Sequence, residues 1–204
     1  MKSLLRRFTR GRPIIVVSGL PRSGTSLAMQ MLAAGGVPIA TDGVRHADES
    51  NPRGYFELEH VKALASGGDT GWLSDARGKA VKIVSPLLTH LPDAYDYQIV
   101  FMHRDLDEVI ASQNALLDAR HEPRGAPDER MRAHYLAHLQ QIERFLARRP
   151  GFSALTVHFA DVVSDPLDES QRINAFLGGG LDVARMAAVA DPALYRRRGV
   201  ARPG

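Results

Sequence analysis

Ile14-Ile15-Val16-Val17-Ser18-Gly19-Leu20-Pro21-Arg22-Ser23-Gly24-Thr25-Ser26 joins a β-branched apolar run, a loop bounded by glycines, and the start of a helical pattern. The run has no polar alternation, as a strand covered on both faces requires. The pattern that follows puts Leu27, Met31 and Leu32 on one stripe and stops at Gly35-Gly36. A glycine-bearing loop between a buried strand and a helix aims several backbone N–H groups at one point, and the helix N-terminus adds a partial positive charge there. Such a point binds an anion. The glycine spacing is that of the nucleotide-binding loop G-x-x-x-x-G-K-[ST]. Here Thr25 stands where the lysine would be, and the cation has moved to Arg22.

Outward from this loop, strand-like and helix-like segments alternate. A short strand is expected at Val37–Ala40, then a polar stretch from Thr41 to Gly54 and a helix near Leu58–Leu64. Ala80–Val84 and Gln98–Met102 read as buried strands. Asp105 is placed as an N-cap, with Asp107 and Glu108 complementing the helix dipole. From Pro127 to Arg149, Met131, Tyr135, Leu139, Ile142 and Leu146 recur at helical spacing, and Pro150-Gly151 ends the pattern. Leu155–Phe159 is the last strand, followed by short helices at Ser170–Leu177 and Val183–Val189 that Gly178-Gly179-Gly180 separates. Apolar strands alternating with helices predict an α/β, three-layer P-loop fold with a central, mainly parallel sheet flanked by helices.

At 204 residues, residues 1–204 are expected to form a single domain. Apolar residues at 44% and charged residues at 24% describe a globular chain and exclude a disordered one. No apolar run reaches the ~18 residues of a spanning helix, and Arg6-Arg7 interrupts the N-terminus before a signal-peptide core can build. With no cysteine, disulfides and a thiol nucleophile are excluded, and the expected location is cytoplasmic. The formal charge is +3, and the basic excess collects at the ends, 1–13 and 196–204. No aromatic-basic interleaving points to nucleic acid. The basic excess favours an anionic partner.

Pro21-Arg22-Ser23-Gly24-Thr25-Ser26 resembles the 5′-phosphosulfate loop of sulfotransferases that use 3′-phosphoadenosine 5′-phosphosulfate (PAPS). That family carries a second signature, an Arg at the end of a later strand and a Ser eight residues on. Arg104 and Ser112 have this spacing, about eighty residues downstream of the loop. The resemblance extends to Asn51–Glu57, a stretch common in a bacterial branch, and to Val157–Pro166 with Ile173–Leu177, so it runs from about Ile14 to about Asp182. It implies PAPS as cosubstrate, with Arg22, Ser23, Gly24, Thr25 and Ser26 around the 5′-phosphosulfate and Arg104 with Ser112 at the 3′-phosphate. The acceptor and the oligomeric state stay open.

Sulfuryl transfer moves a neutral SO₃ unit from a phosphate leaving group to a hydroxyl or amine, and charge grows on the bridging and sulfuryl oxygens. No metal is required. Arg22 suits the leaving phosphate. Lys82 is a candidate cation for the transferring group, weighed evenly against a lysine that snorkels from a sheet edge. The acceptor must also lose its proton. By analogy with tyrosylprotein-type members the base is Asp42, with His46, Asp48, Glu49, Glu57 and His60 crowding the same segment.

Cytosolic members place a His two residues after a strand Lys, and that position here is Val84; His90 lies too close to Arg104 to replace it. Of the C-terminal Arg-Lys-Gly signature only Arg197-Arg198-Gly199 is present, either closing over the 3′-phosphate or forming a basic tail. His134 and His138, four apart on one helix, lack an evident third metal ligand and are expected on a solvent face. Trp72 either stacks on a ring or anchors a loop. Two rival readings remain. One is a small-molecule kinase with a degenerate loop, its Mg²⁺ held by Ser26 and by Asp105 or Asp161. The other is a non-catalytic nucleotide-binding module.

Overall fold

β-Branched and aromatic runs supply four parallel strands: β1 (Ile14–Gly19), β2 (Ala80–Lys82), β3 (Tyr97–His103) and β4 (Phe152–His158). A computed structural model describes residues 10–41, 56 and 58–190 of the chain. The sheet order is β2-β1-β3-β4, which places β1, buried along its whole length, between two neighbours. Parallel pairing requires a crossover between successive strands. α1 (Thr25–Ala34) and α2 (Glu59–Lys62) lie between β1 and β2, and a 3-10 turn over Ser85–His90 lies between β2 and β3. α3 (Leu106–Ala119) and α4 (Asp128–Ala147) lie between β3 and β4, and α5 (Phe159–Ser164), α6 (Pro166–Leu177) and α7 (Val183–Val189) follow β4. No helix among the described residues is long and apolar enough to cross a membrane.

Successive side chains of a strand point to opposite faces, so the sheet divides the core in two. Ile15, Val17, Val100, Met102 and Val157 meet Leu27, Met31 and Leu32 of α1, with Ile173 and Met186 behind them. Ile14, Val16, Val81, Ile83, Ile99 and Phe101 meet Val61, Leu64, Leu88 and Ile142. Each fully buried aliphatic side chain contributes about 1.5–3 kcal/mol.

Several boundaries differ from the sequence reading. Val37–Ala40 forms only an isolated bridge, Ile39 opposite Ala80. Pro38 has no N–H to extend a ladder, although its carbonyl accepts from Ala80 N at 2.8 Å. β2 stops at Lys82, because Pro86 starts a 3-10 turn over Ser85–His90. β4 starts at Phe152 and ends before Phe159, which opens α5. This strand is at the sheet edge and half exposed, so its first residues lack an apolar signal. Asp105 caps α3 as expected, accepting from the amides of Asp107 and Glu108 at 2.9 and 3.1 Å. Pro127 lies at the N-cap of α4, just outside its first turn.

Candidate functional site

The loop after β1 is shaped by two glycines with no room for a side chain. Gly19 has φ +149, and a Cβ there would lie 2.5 Å from the carbonyl oxygen of Met102 and 2.5 Å from Ser23 Oγ. Gly24 has φ +101, and its Cβ would meet the Phe159 ring at 2.5 Å. Between them Arg22 holds φ +70, a conformation that non-glycine residues seldom adopt outside functional or tightly constrained turns. Ser23 N donates to Leu20 O at 3.1 Å, closing the turn. α1 then starts with no side-chain cap and no acid in its first turn. Its first amides therefore keep their positive end facing the loop. Ser23 Oγ, buried beside them, has no hydrogen-bond partner. These features suit an oxyanion such as a phosphate group, which can use both an unpaired hydroxyl and amide donors.

Arginines flank this loop. Arg22 Nε donates to Ser112 Oγ on α3 at 3.0 Å, and Arg104 Nη1 donates to Arg22 O at 3.3 Å. Arg22, expected at the 5′-phosphosulfate, thus bonds to each member of the pair expected at the 3′-phosphate. Arg104 Nε also donates to Glu108 Oε2 at 2.9 Å, and the Arg104 guanidinium stacks on Phe159 at 4.4 Å. Their side chains are 10% and 7% exposed, so the pair is largely withdrawn from water and fixes where Arg104 points. Glu108, read from the sequence only as a first-turn acid, positions this arginine. The four-residue step from Arg104 was the available signal. Phe159, read as the end of a strand, is the floor under both Gly24 and Arg104.

Lys82 stands at the end of β2 opposite Val17 and is buried, not snorkelled from an edge. The Ile39 bridge covers that side of β2. Asp42, His46, Asp48, Glu49, Glu57, Arg197 and Arg198 lie outside the described residues, while His60 and His90 are exposed. Trp72 is partly buried against the apolar cluster that holds Val61, Leu64 and Leu73, as a loop anchor is. Asp105 spends its carboxylate on the α3 cap, and Asp161 is exposed in α5.

His134 is exposed as expected, but His138 is not on a solvent face: it is half-buried, with Nε2 2.8 Å from Ser85 Oγ. At the other end of the carboxyl edge, His103 and His158 meet ring to ring at 4.9 Å. Burial and then the neighbouring His158 push the His103 pKa below 6.5, with Asp105 opposing. Burial and then His134 lower that of His138. Both therefore favour the neutral ring in the folded state. Their contribution is fully present above the unfolded value near 6.5 and is lost as pH falls below it. Denaturant melts between about pH 7.5 and 5 should show this loss, and His103→Asn should flatten the slope; a wild-type stability independent of pH would contradict it.

A family model described as the sulfotransferase family matches residues 58–182, a span containing Lys82, Arg104, Glu108 and Ser112 but not the glycine loop. Solved structures with similar architecture include bacterial sulfotransferases. STF1 from Mycobacterium tuberculosis is 18% identical, covers 97% of this chain and 77% of its own, and has a TM-score of 0.57. The sulfotransferase domain from the curacin biosynthetic pathway is 14% identical over 95% and 94% of the two chains, with a TM-score of 0.54. STF9 from Mycobacterium avium is 14% identical over 98% and 72%, with a TM-score of 0.53. At these identities the likeness bears on the fold. Comparison with curated protein sequences gives no match.

Proposed function

The chain belongs to the sulfotransferase family, and from that premise we propose that it moves a sulfuryl group from PAPS to a hydroxyl or amine acceptor. The observation that carries the donor assignment is the loop itself: an uncapped α1 N-terminus, the unpartnered buried Ser23 hydroxyl, and Arg22 bonded to Ser112. In this reading Arg22 and Ser23 to Ser26 hold the 5′-phosphosulfate, and Arg104 with Ser112 serves the 3′-phosphate. Lys82 neutralises charge on the transferring group. The donor supplies an activated sulfuryl group whose leaving group is a phosphate, so the protein's task is to fix it, withdraw it from water and receive the acceptor's proton.

The kinase reading is weaker on one observation. It asks for a carboxylate beside the loop to hold Mg²⁺. Asp105 already accepts two backbone N–H bonds as a helix cap.

Thermal-shift measurements separate the readings. Adenosine 3′,5′-bisphosphate at about 100 times its dissociation constant should add ~2.7 kcal/mol, or roughly 5–10 °C for a chain of this size. ATP with Mg²⁺ should add little. A shift with ATP and Mg²⁺ alone would replace the sulfotransferase reading with the kinase one. If the bisphosphate binds but no PAPS is consumed in the presence of hydroxyl and amine acceptors, the protein is a nucleotide-binding module.

A further inference from the structure

The acceptor's proton has no receiver yet among the described residues, and one pair of side chains at the carboxyl edge of the sheet is unused. Ile83 N donates to Val17 O at 3.0 Å, so the chain beyond β2 runs beside Ser18 and Gly19, where the loop begins. Ser85, two residues further, is fully buried, and His138 of α4 reaches its hydroxyl at 2.8 Å. One turn on, Ile142 joins the buried apolar cluster that holds Val16, Val81 and Ile83, so α4 covers this face of the sheet. Strand alternation turns Ser18 to the same face as Val16. The Ser18 hydroxyl, fully buried, has no partner. An imidazole and an unsatisfied hydroxyl thus lie on one face of one edge, next to the loop.

We propose that His138, held by Ser85, takes the proton from the acceptor during sulfuryl transfer. This rests on the sulfotransferase reading above and deepens it. A neutral imidazole has one N–H and one bare nitrogen. In the tautomer this role requires, Nε2–H donates to Ser85 Oγ and Nδ1 is the basic nitrogen, which no hydrogen bond engages among the described residues. The same Nε2–H···Oγ bond persists in the imidazolium, so Ser85 supports both protonation states. Burial favours the neutral ring, and the one charge acting on it among the described residues is that of His134 on the same helix. In the step, the acceptor oxygen or nitrogen forms a bond to sulfur as its proton passes to Nδ1. The bond from sulfur to the bridging oxygen breaks, and its electron pair leaves with adenosine 3′,5′-bisphosphate. Ser85 is a positioning residue.

The test uses the full chain with PAPS, a simple phenol and a simple primary amine as acceptors, and release of the bisphosphate as the readout. His138→Gln should lower the rate by about 100-fold or more while leaving the bisphosphate dissociation constant within about twofold. Ser85→Ala should lower the rate less, with Ser85→Thr restoring it. Unchanged turnover in His138→Gln overturns the proposal. Failure of the wild type to bind the bisphosphate would instead remove the nucleotide reading beneath it. Should the variants melt early or neither acceptor be taken, the wild type still decides by NMR. Saturation with the bisphosphate should raise the pKa of the His138 ring by roughly half a unit or more, since its 5′-phosphate would stand nearby. An unmoved titration overturns the proposal.

Discussion

Gly19→Ala should melt roughly 5–20 °C below the wild type, from a loss of about 2–5 kcal/mol that combines backbone strain with overpacking. The added methyl group would press against the Met102 carbonyl at 2.5 Å, and a backbone oxygen within a parallel ladder cannot swing aside as a flexible side chain can. Gly36→Ala isolates the strain. Gly36 has φ +93 but nothing within 4 Å of its added Cβ, so its variant should fall by a fraction of the Gly19 effect. Circular-dichroism melts of both variants measure the difference. Equal shifts would mean that contact with β3 contributes nothing at Gly19.

Arg22→Ala and Arg104→Ala should each weaken adenosine 3′,5′-bisphosphate binding by roughly 10- to 150-fold, the range expected when a charge-assisted contact worth about 1.5–3 kcal/mol is lost. The two should differ in stability. Arg104→Ala removes the guanidinium that pairs with the largely buried Glu108 carboxylate and stacks on the ring of Phe159, so this variant should also melt earlier. Arg22→Ala leaves the Arg104–Glu108 pair intact and should keep its melting point. The double variant should bind better than the sum of the two losses predicts, because Arg104 donates to the backbone carbonyl of Arg22 and Arg104→Ala therefore also disturbs the loop that carries Arg22. Calorimetric titration checks this. Wild-type affinity in both single variants would remove these arginines from the nucleotide site.

The strands and the loop were legible because their signals are local. Ile14–Val17 is too apolar to alternate, and two glycines five residues apart leave few alternatives to a strand-to-helix turn. Asp105 could be placed as a cap from its own neighbourhood. What the sequence concealed depends on residues brought together from afar. Phe159 reads as one more apolar residue at a strand end, and only the packed structure puts it beneath Gly24 and Arg104. His138 looks like half of a solvent-facing pair until Ser85, 53 residues away, meets it. Glu108 lies between these cases, since its spacing from Arg104 was visible but its burial was not.

The floor under Gly24 also sets an order of assembly during synthesis. The loop is complete in sequence by Ser26, yet its glycines close against Met102 and Phe159, and α3 supplies Ser112. A nascent chain leaves the ribosome from its N-terminus at about 5–20 residues per second. The loop therefore waits several seconds, exposed, until Phe159 clears the exit tunnel. Any fragment ending before that residue would carry the whole loop motif and lack the surface that shapes it.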